Sequence, residues 1–165
     1  MSNIILIGMP GAGKSTLGVQ LAKDSARDFV DTDVLIQLRE HKTLQQIIDG
    51  SDYLHLRAIE EAVLLALHCD NHVIATGGSA VYSNAGMAHL SQLGQVVFLH
   101  TDLAELRKRI NNYQTRGITR RPDQSFESLF QERQMLYQQF ANITINCNGC
   151  SQQSILAQLQ LQLCV

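Results

Sequence analysis

The stretch Gly8-Met9-Pro10-Gly11-Ala12-Gly13-Lys14-Ser15-Thr16 limits what this chain can become more than any other. It follows an apolar, strand-like run, Asn3-Ile4-Ile5-Leu6-Ile7, and leads into Leu17 to Lys23, which has helical spacing. The pattern is G-x-x-x-x-G-K-[ST] with both flanks of the required kind. Its glycines let successive backbone N–H groups turn inward, and the start of the following helix adds partial positive charge. Phosphate oxygens are thereby held without bulky side chains. Gly11, Ala12, Gly13, Lys14, Ser15 and Thr16 are therefore the predicted nucleotide-binding residues. Lys14 is placed to reach the β- and γ-phosphates, and the Ser15 hydroxyl to bind Mg²⁺.

Beyond this loop, apolar strand-like runs alternate with longer helical patterns. The predicted strands are Asn3 to Ile7, Phe29 to Asp33, His72 to Thr76, Gln95 to His100 and Asn142 to Asn146. Between them lie helices at about 14–26, 52–69, 84–93, 102–112 and 125–140, two short ones within 34–49, and a last one at 151–163. The helix at 52–69 carries Leu56, Ile59, Val63, Leu64 and Leu67 on one stripe, with Arg57, Glu60 and Glu61 at its edge. Strands separated by helices predict an α/β fold: a three-layer α/β/α arrangement around a five-stranded parallel sheet. Ligands of such sheets bind beyond the carboxyl ends of the strands, which selects Gly8 to Ser15, Asp31 to Asp33, Gly77 to Ser79 and the segment after His100.

The 165 residues suit a single domain spanning 1–165. Residues 112–124 hold little apolar content and several arginines, and read as a mobile lid. A formal net charge of −2 gives no electrostatic footprint for nucleic acid or a membrane surface. Met1-Ser2-Asn3 runs straight into an apolar strand without a basic leader, so the expectation is a cytoplasmic protein. A monomer is also expected. Cys147 and Cys150 form a C-x-x-C, but no second pair accompanies it, so reduced thiols are expected rather than zinc. The six histidines show no ligand spacing, and no metal is assigned to them.

Small-molecule kinases and GTPase-type switches both fit a P-loop domain of this size. A switch needs N-K-x-D and D-x-x-G, and neither tetrapeptide occurs. The chain resembles the nucleoside-monophosphate-kinase-like phosphotransferases, and within them the shikimate kinases. Asp31-Thr32-Asp33 matches that family's D-x-D. Arg57 with Glu60 matches its arginine and glutamate on the helix before the third strand, and Gly77-Gly78-Ser79 stands where it usually has three glycines. Arg109 falls on its arginine before the lid, and Arg133-Gln134-Met135-Leu136-Tyr137 is similar to its R-x-P-L-Y.

The resemblance implies a P-loop kinase fold and transfer of a phosphoryl group from ATP, with Mg²⁺, to a hydroxyl of shikimate, a small ring with one carboxylate and three hydroxyls. Arg57 and Arg133 would pair with the carboxylate bidentately. Asp33 would hold the hydroxyls and take the proton of the attacking one. The backbone N–H groups of Gly77 and Gly78 would approach the ring closely because no side chain intervenes, and Ser79 joins them among the substrate-binding residues. Asp31 would hold a Mg²⁺-bound water, a second anchor for the metal beside Ser15.

Each of these residues has a plainer reading. Asp33 could be a helix cap, Arg57 with Glu60 a surface ion pair, Arg133 part of a solvated helix face, and the glycines a simple tight turn. The lid departs most from the family, reading Arg116-Gly117-Ile118-Thr119 and then Arg120-Arg121-Pro122. Arg116 is preferred over Arg121 as the lid arginine, because it keeps the expected spacing from Arg109. It would close over the γ-phosphate while Arg109 lies against the adenine. Lys14, Asp33 and Arg116 are thus the expected catalytic residues. Ser79 and Met135 are departures expected beside the acceptor pocket. They leave open another hydroxylated acid such as gluconate, a nucleoside monophosphate, or a nucleotide-binding regulator without turnover.

Overall fold

The computed structural model describes residues 2–110 and 118–165. Strand β1 (Asn3–Ile7) leads through the glycine loop into α1 (Lys14–Asp24), and β2 (Asp28–Asp31) into α2 (Thr32–Glu40), α3 (Leu44–Asp49) and α4 (Tyr53–Leu65). Strand β3 (His72–Ala75) is followed by a 3₁₀ turn (Ala80–Tyr82) and α5 (Asn84–Leu93), then β4 (Gly94–His100) and α6 (Leu103–Arg109). Helix α7 (Phe126–Phe140), β5 (Ile143–Asn146) and α8 (Gln152–Leu163) complete the order. The strands form one parallel sheet in the order β2-β3-β1-β4-β5, the expected α/β P-loop kinase architecture. Because β1 sits centrally, with later strands added first on one side and then on the other, its loop emerges where the chain changes direction, the usual ligand position in such sheets.

The period-two alternation of β1 divides the core. Ile5 and Ile7 pack with Leu64, Ile74, Met87, Phe98 and Tyr137 on one face of the sheet. Ile4 and Leu6 pack with Leu17, Leu21, Val97 and Leu159 on the other. A third cluster, Ile36, Ile47, Leu56, Ile59 and Val63, joins α2, α3 and α4 into the wall beside β2. At the opposite end of the sheet, buried Asn3 binds three neighbours. Its Nδ2 donates to the carbonyls of Cys69 (2.6 Å) and Leu93 (3.2 Å), and its Oδ1 accepts from His72 N–H (2.8 Å). One amide thus satisfies backbone groups at the entrances of β3 and β4. The four cysteines are free thiols. Among the described residues no helix is long and apolar enough to cross a membrane.

Several boundaries differ from expectation, among them the end of α4 at Leu65 rather than 69, and two of them bear on the site. Strand β2 ends at Asp31, two residues early, because the Asp31 carboxylate accepts the N–H of Asp33 at 3.0 Å and so caps α2. Asp33 is therefore a first-turn residue of α2, and the cap is Asp31, two residues before it. Helix α6 ends at Arg109, where Ile110 turns inward against Gly11 and is buried. The predicted lid begins at 112, and its residues up to Gly117 lie outside the described residues.

Candidate active site

The glycine loop folds as its pattern requires. Gly8, Gly11 and Gly13 have φ of 147°, 86° and 93°, values that side-chain-bearing residues rarely adopt, and Gly13 leads into α1 from the left-handed region. Lys14 is buried at 8% exposure, and its Nζ donates to the carbonyls of Gly8 (2.7 Å) and Met9 (3.0 Å), which holds the ammonium over the loop. Ser15 Oγ donates to Asp31 Oδ2 at 2.6 Å. The carboxylate that caps α2 thus also meets the loop serine, bringing together the two residues assigned to the metal. Hydroxyl and carboxylate oxygens are the hard donors that Mg²⁺ takes, so the pair fits that ion.

Facing the loop across a cavity of about 160 Å³ stand Asp33, Glu60, Gly77, Gly78, Ser79 and Arg133. The two glycines separate the acids from the base. A Cβ on Gly77 would lie 2.5 Å from Glu60 Oε1 and 2.6 Å from Asp33 Oδ1, so both carboxylates press on the same bare backbone. A Cβ on Gly78 would lie 2.8 Å from Arg133 Nη1 and 2.8 Å from Pro10 Cδ. The turn is more than a tight bend: the two carboxylates, the Arg133 guanidinium and Pro10 of the loop all approach its bare backbone. Gly77 N–H donates to the buried Thr32 hydroxyl at 3.1 Å, tying the turn to the first residue of α2.

Arg133 is 1% exposed, which removes the solvated-face reading. Its Nη2 donates to the Thr119 carbonyl at 2.5 Å, and its guanidinium lies 5.5 Å from the Tyr82 ring centre. Burial opposes its charge, yet the Tyr137 and Tyr82 hydroxyls and Glu60 outweigh that and raise its pKa above the ordinary value. Arg57 does not line the cavity. It stacks on the Tyr82 ring at 3.5 Å and lies 5.0 Å from Tyr53, so it is neither a surface ion pair nor a direct wall of the pocket. Half burial lowers its pKa.

Glu60, which the helical pattern puts at the edge of α4, is instead 2% exposed and points into the cavity. Burial, and then the nearby Asp33 carboxylate, push its pKa up to about 7. Ser79 Oγ donates to its Oε2 at 2.5 Å, while Oε1 has no hydrogen-bond partner among the described residues. Tyr82 and Glu132 escape the sequence reading, and Tyr137 enters it only as part of the R-x-P-L-Y match. Tyr82 hydroxyl donates to Glu132 Oε1 (2.5 Å), and Tyr137 hydroxyl to the Gly78 carbonyl (2.6 Å). Local patterns carry no signal for contacts spanning 50 and 59 residues.

Met135 is a correction: it is 74% exposed and lines no part of the cavity, because it occupies the face of α7 opposite Arg133 and Tyr137. Arg109 stands with Gly11, Thr16, Leu17 and Cys150 around a second hollow of about 450 Å³, with Nε donating to Glu105 Oε1 at 3.1 Å. Arg121 pairs with Glu132 at 2.9 Å. Arg116, the expected lid arginine, lies outside the described residues.

Comparison with known proteins identifies the family. A family model described as shikimate kinase matches residues 10–164. A shikimate kinase of Clostridium botulinum is 38% identical over 153 residues, 90% of this chain and 89% of that protein. One of Pseudomonas entomophila is 36% identical over 148 residues, 88% and 86% of the two chains. The solved structure of shikimate kinase from Acinetobacter baumannii in complex with shikimate matches with a TM-score of 0.89 and 31% identity, over 99% of this chain and 94% of that one. On fold, family model and relatives together, the chain belongs to the shikimate kinase family of ATP-dependent kinases.

Proposed function

We propose that the chain transfers the γ-phosphoryl group of ATP to the 3-hydroxyl of shikimate, with the residues of the 160 Å³ cavity as its working parts. The observation that carries this reading is that one cavity has the phosphate loop along one wall and Asp33, Glu60 and Arg133 along the other. A nucleotide held by the first wall presents its terminal phosphate to whatever the second wall holds. That second wall offers a buried guanidinium for a carboxylate and carboxylate oxygens for hydroxyls, the two kinds of group that shikimate carries.

In this mechanism the acceptor hydroxyl attacks the γ-phosphorus in line, its bond to the β–γ bridging oxygen breaks, and ADP leaves. Asp33 orients the hydroxyl and receives its proton. Arg133 grips the acceptor carboxylate, with Arg57 behind Tyr82 adding a second positive charge. Lys14 exchanges its loop carbonyls for phosphate oxygens and, with Arg116, balances charge growing on the transferred group. Ser15 and Asp31 would hold Mg²⁺, which neutralises the β- and γ-phosphate oxygens when bound. Arg109 would flank the adenine at the second hollow.

ADP release measured with shikimate, gluconate and nucleoside monophosphates tests this directly. Shikimate-dependent release in the presence of Mg²⁺ is expected. Faster release with gluconate or a nucleotide would move the acceptor assignment, and ATP binding without release on any acceptor would make the chain a nucleotide-binding regulator.

A further inference from the structure

Of the Gly77-Gly78-Ser79 turn only Ser79 carries a side chain, at a position where the resembling family has glycine. It precedes the 3₁₀ turn Ala80–Tyr82, where a serine hydroxyl ordinarily caps a backbone N–H. Here it makes no such bond. The hydroxyl instead donates to Glu60 Oε2 in a buried contact of 2.5 Å. The other oxygen, Oε1, is buried without a hydrogen-bond partner among the described residues and lies beside Asp33 Oδ1 against the bare Gly77 backbone. A buried acceptor atom left unpaired is costly, and a hydroxyl entering the cavity is the donor it lacks.

We propose that Ser79 is a positioning residue of the acceptor site: by clamping one oxygen of Glu60 it presents the other, beside Asp33, to a hydroxyl of the bound acceptor. This rests on the functional reading above. A glycine at position 79 has no donor to do this, and Glu60 could then swing or change its protonation state. The charged and titratable groups around Glu60 oppose one another. Burial and Asp33 on α2 favour its protonated form. The Ser79 hydroxyl, Arg133 on α7 and Arg57 on α4 favour the carboxylate. Removing the hydroxyl deletes the first of the groups that hold the charge, so Glu60 takes up its proton at higher pH.

The test is steady-state kinetics of Ser79→Ala, Ser79→Gly and Ser79→Thr with shikimate and ATP across pH 5.5 to 9. The alanine and glycine variants are expected to raise the shikimate KM about tenfold near neutral pH and to move the acidic limb of kcat/KM for shikimate up by about one unit. The ATP KM is expected to stay as in the unaltered protein, and threonine, which restores a hydroxyl, to recover both values. Alanine and glycine variants with unaltered shikimate KM and pH profile would overturn the inference, as would a matching rise in ATP KM. An unaltered protein that releases no ADP with shikimate would instead overturn the functional reading, and this inference with it.

Discussion

Gly77→Ala adds one methyl group, and the structure states where it goes. The new carbon would stand 2.5 Å from Glu60 Oε1 and 2.6 Å from Asp33 Oδ1, and real Cβ atoms essentially never approach another atom within 3.0 Å. Gly77 is not among the residues with positive φ, so alanine brings no backbone strain and the perturbation is confined to the two carboxylates. Both must retreat by about half an ångström or more to restore contact distances, which displaces the two carboxylates assigned to the acceptor. Displacing a reacting group by about 1 Å costs on the order of 100-fold in rate, close to 3 kcal/mol of barrier. Gly77→Ala is therefore expected to lower kcat/KM for shikimate by between about ten- and 100-fold and to leave ATP binding within about twofold. Initial rates at varied shikimate and saturating ATP, with ATP affinity measured separately by calorimetry, read both quantities. A variant with kcat/KM within threefold of the unaltered protein, still folded by circular dichroism, would show that Asp33 and Glu60 do not position the acceptor.

Other substitutions probe the remaining parts. Lys14→Ala should remove most phosphoryl transfer to any acceptor, by about 100-fold or more, since it takes the ammonium from the phosphates; quench-flow rates that stay unchanged would contradict the loop assignment. Arg133→Met keeps the volume of a buried side chain but not its charge, and should weaken shikimate binding by about 2 kcal/mol, roughly 30-fold, while ATP titrations remain unchanged. Glu60 titrates at 4.5 when unfolded and at about 7 in the fold, so the folded chain retains a proton that the unfolded chain has released between those values. Stability to urea should therefore fall by about 3 kcal/mol as pH rises from 4.5 to 7, and Glu60→Gln should flatten that slope.

Most of the architecture was legible because its signals are local. The apolar runs of the strands, the glycine loop and the helical stripes each announce an element within a dozen residues, and the order β-α-β then restricts the topology. Legibility weakened where a side chain's fate depends on distant packing. Glu60 three residues from Arg57 looks like an exposed pair, yet α4 rotates it under the Gly77 turn while Arg57 stacks on Tyr82. Met135 sits two residues from Arg133, but on a helix that spacing places it on another face, and it ends exposed. The Asp31 cap was missed because Asp31-Thr32-Asp33 reads equally as a strand end or a helix start until Ser15 and Asp31 are seen in contact. Ser79 was read as a departure near the acceptor, and its hydrogen bond to Glu60 supplies the physical content of that departure.

Phosphorus NMR of the product mixture, taken after equimolar ATP and shikimate are incubated with the protein and Mg²⁺, measures transfer across the two-walled cavity without an intermediary assay. The expected spectrum shows one phosphate monoester on the shikimate ring for each ADP formed, and little inorganic phosphate. Inorganic phosphate without the ester would mean that water, not the acceptor, faces the γ-phosphate, and unconsumed ATP would mean that the two walls do not work together.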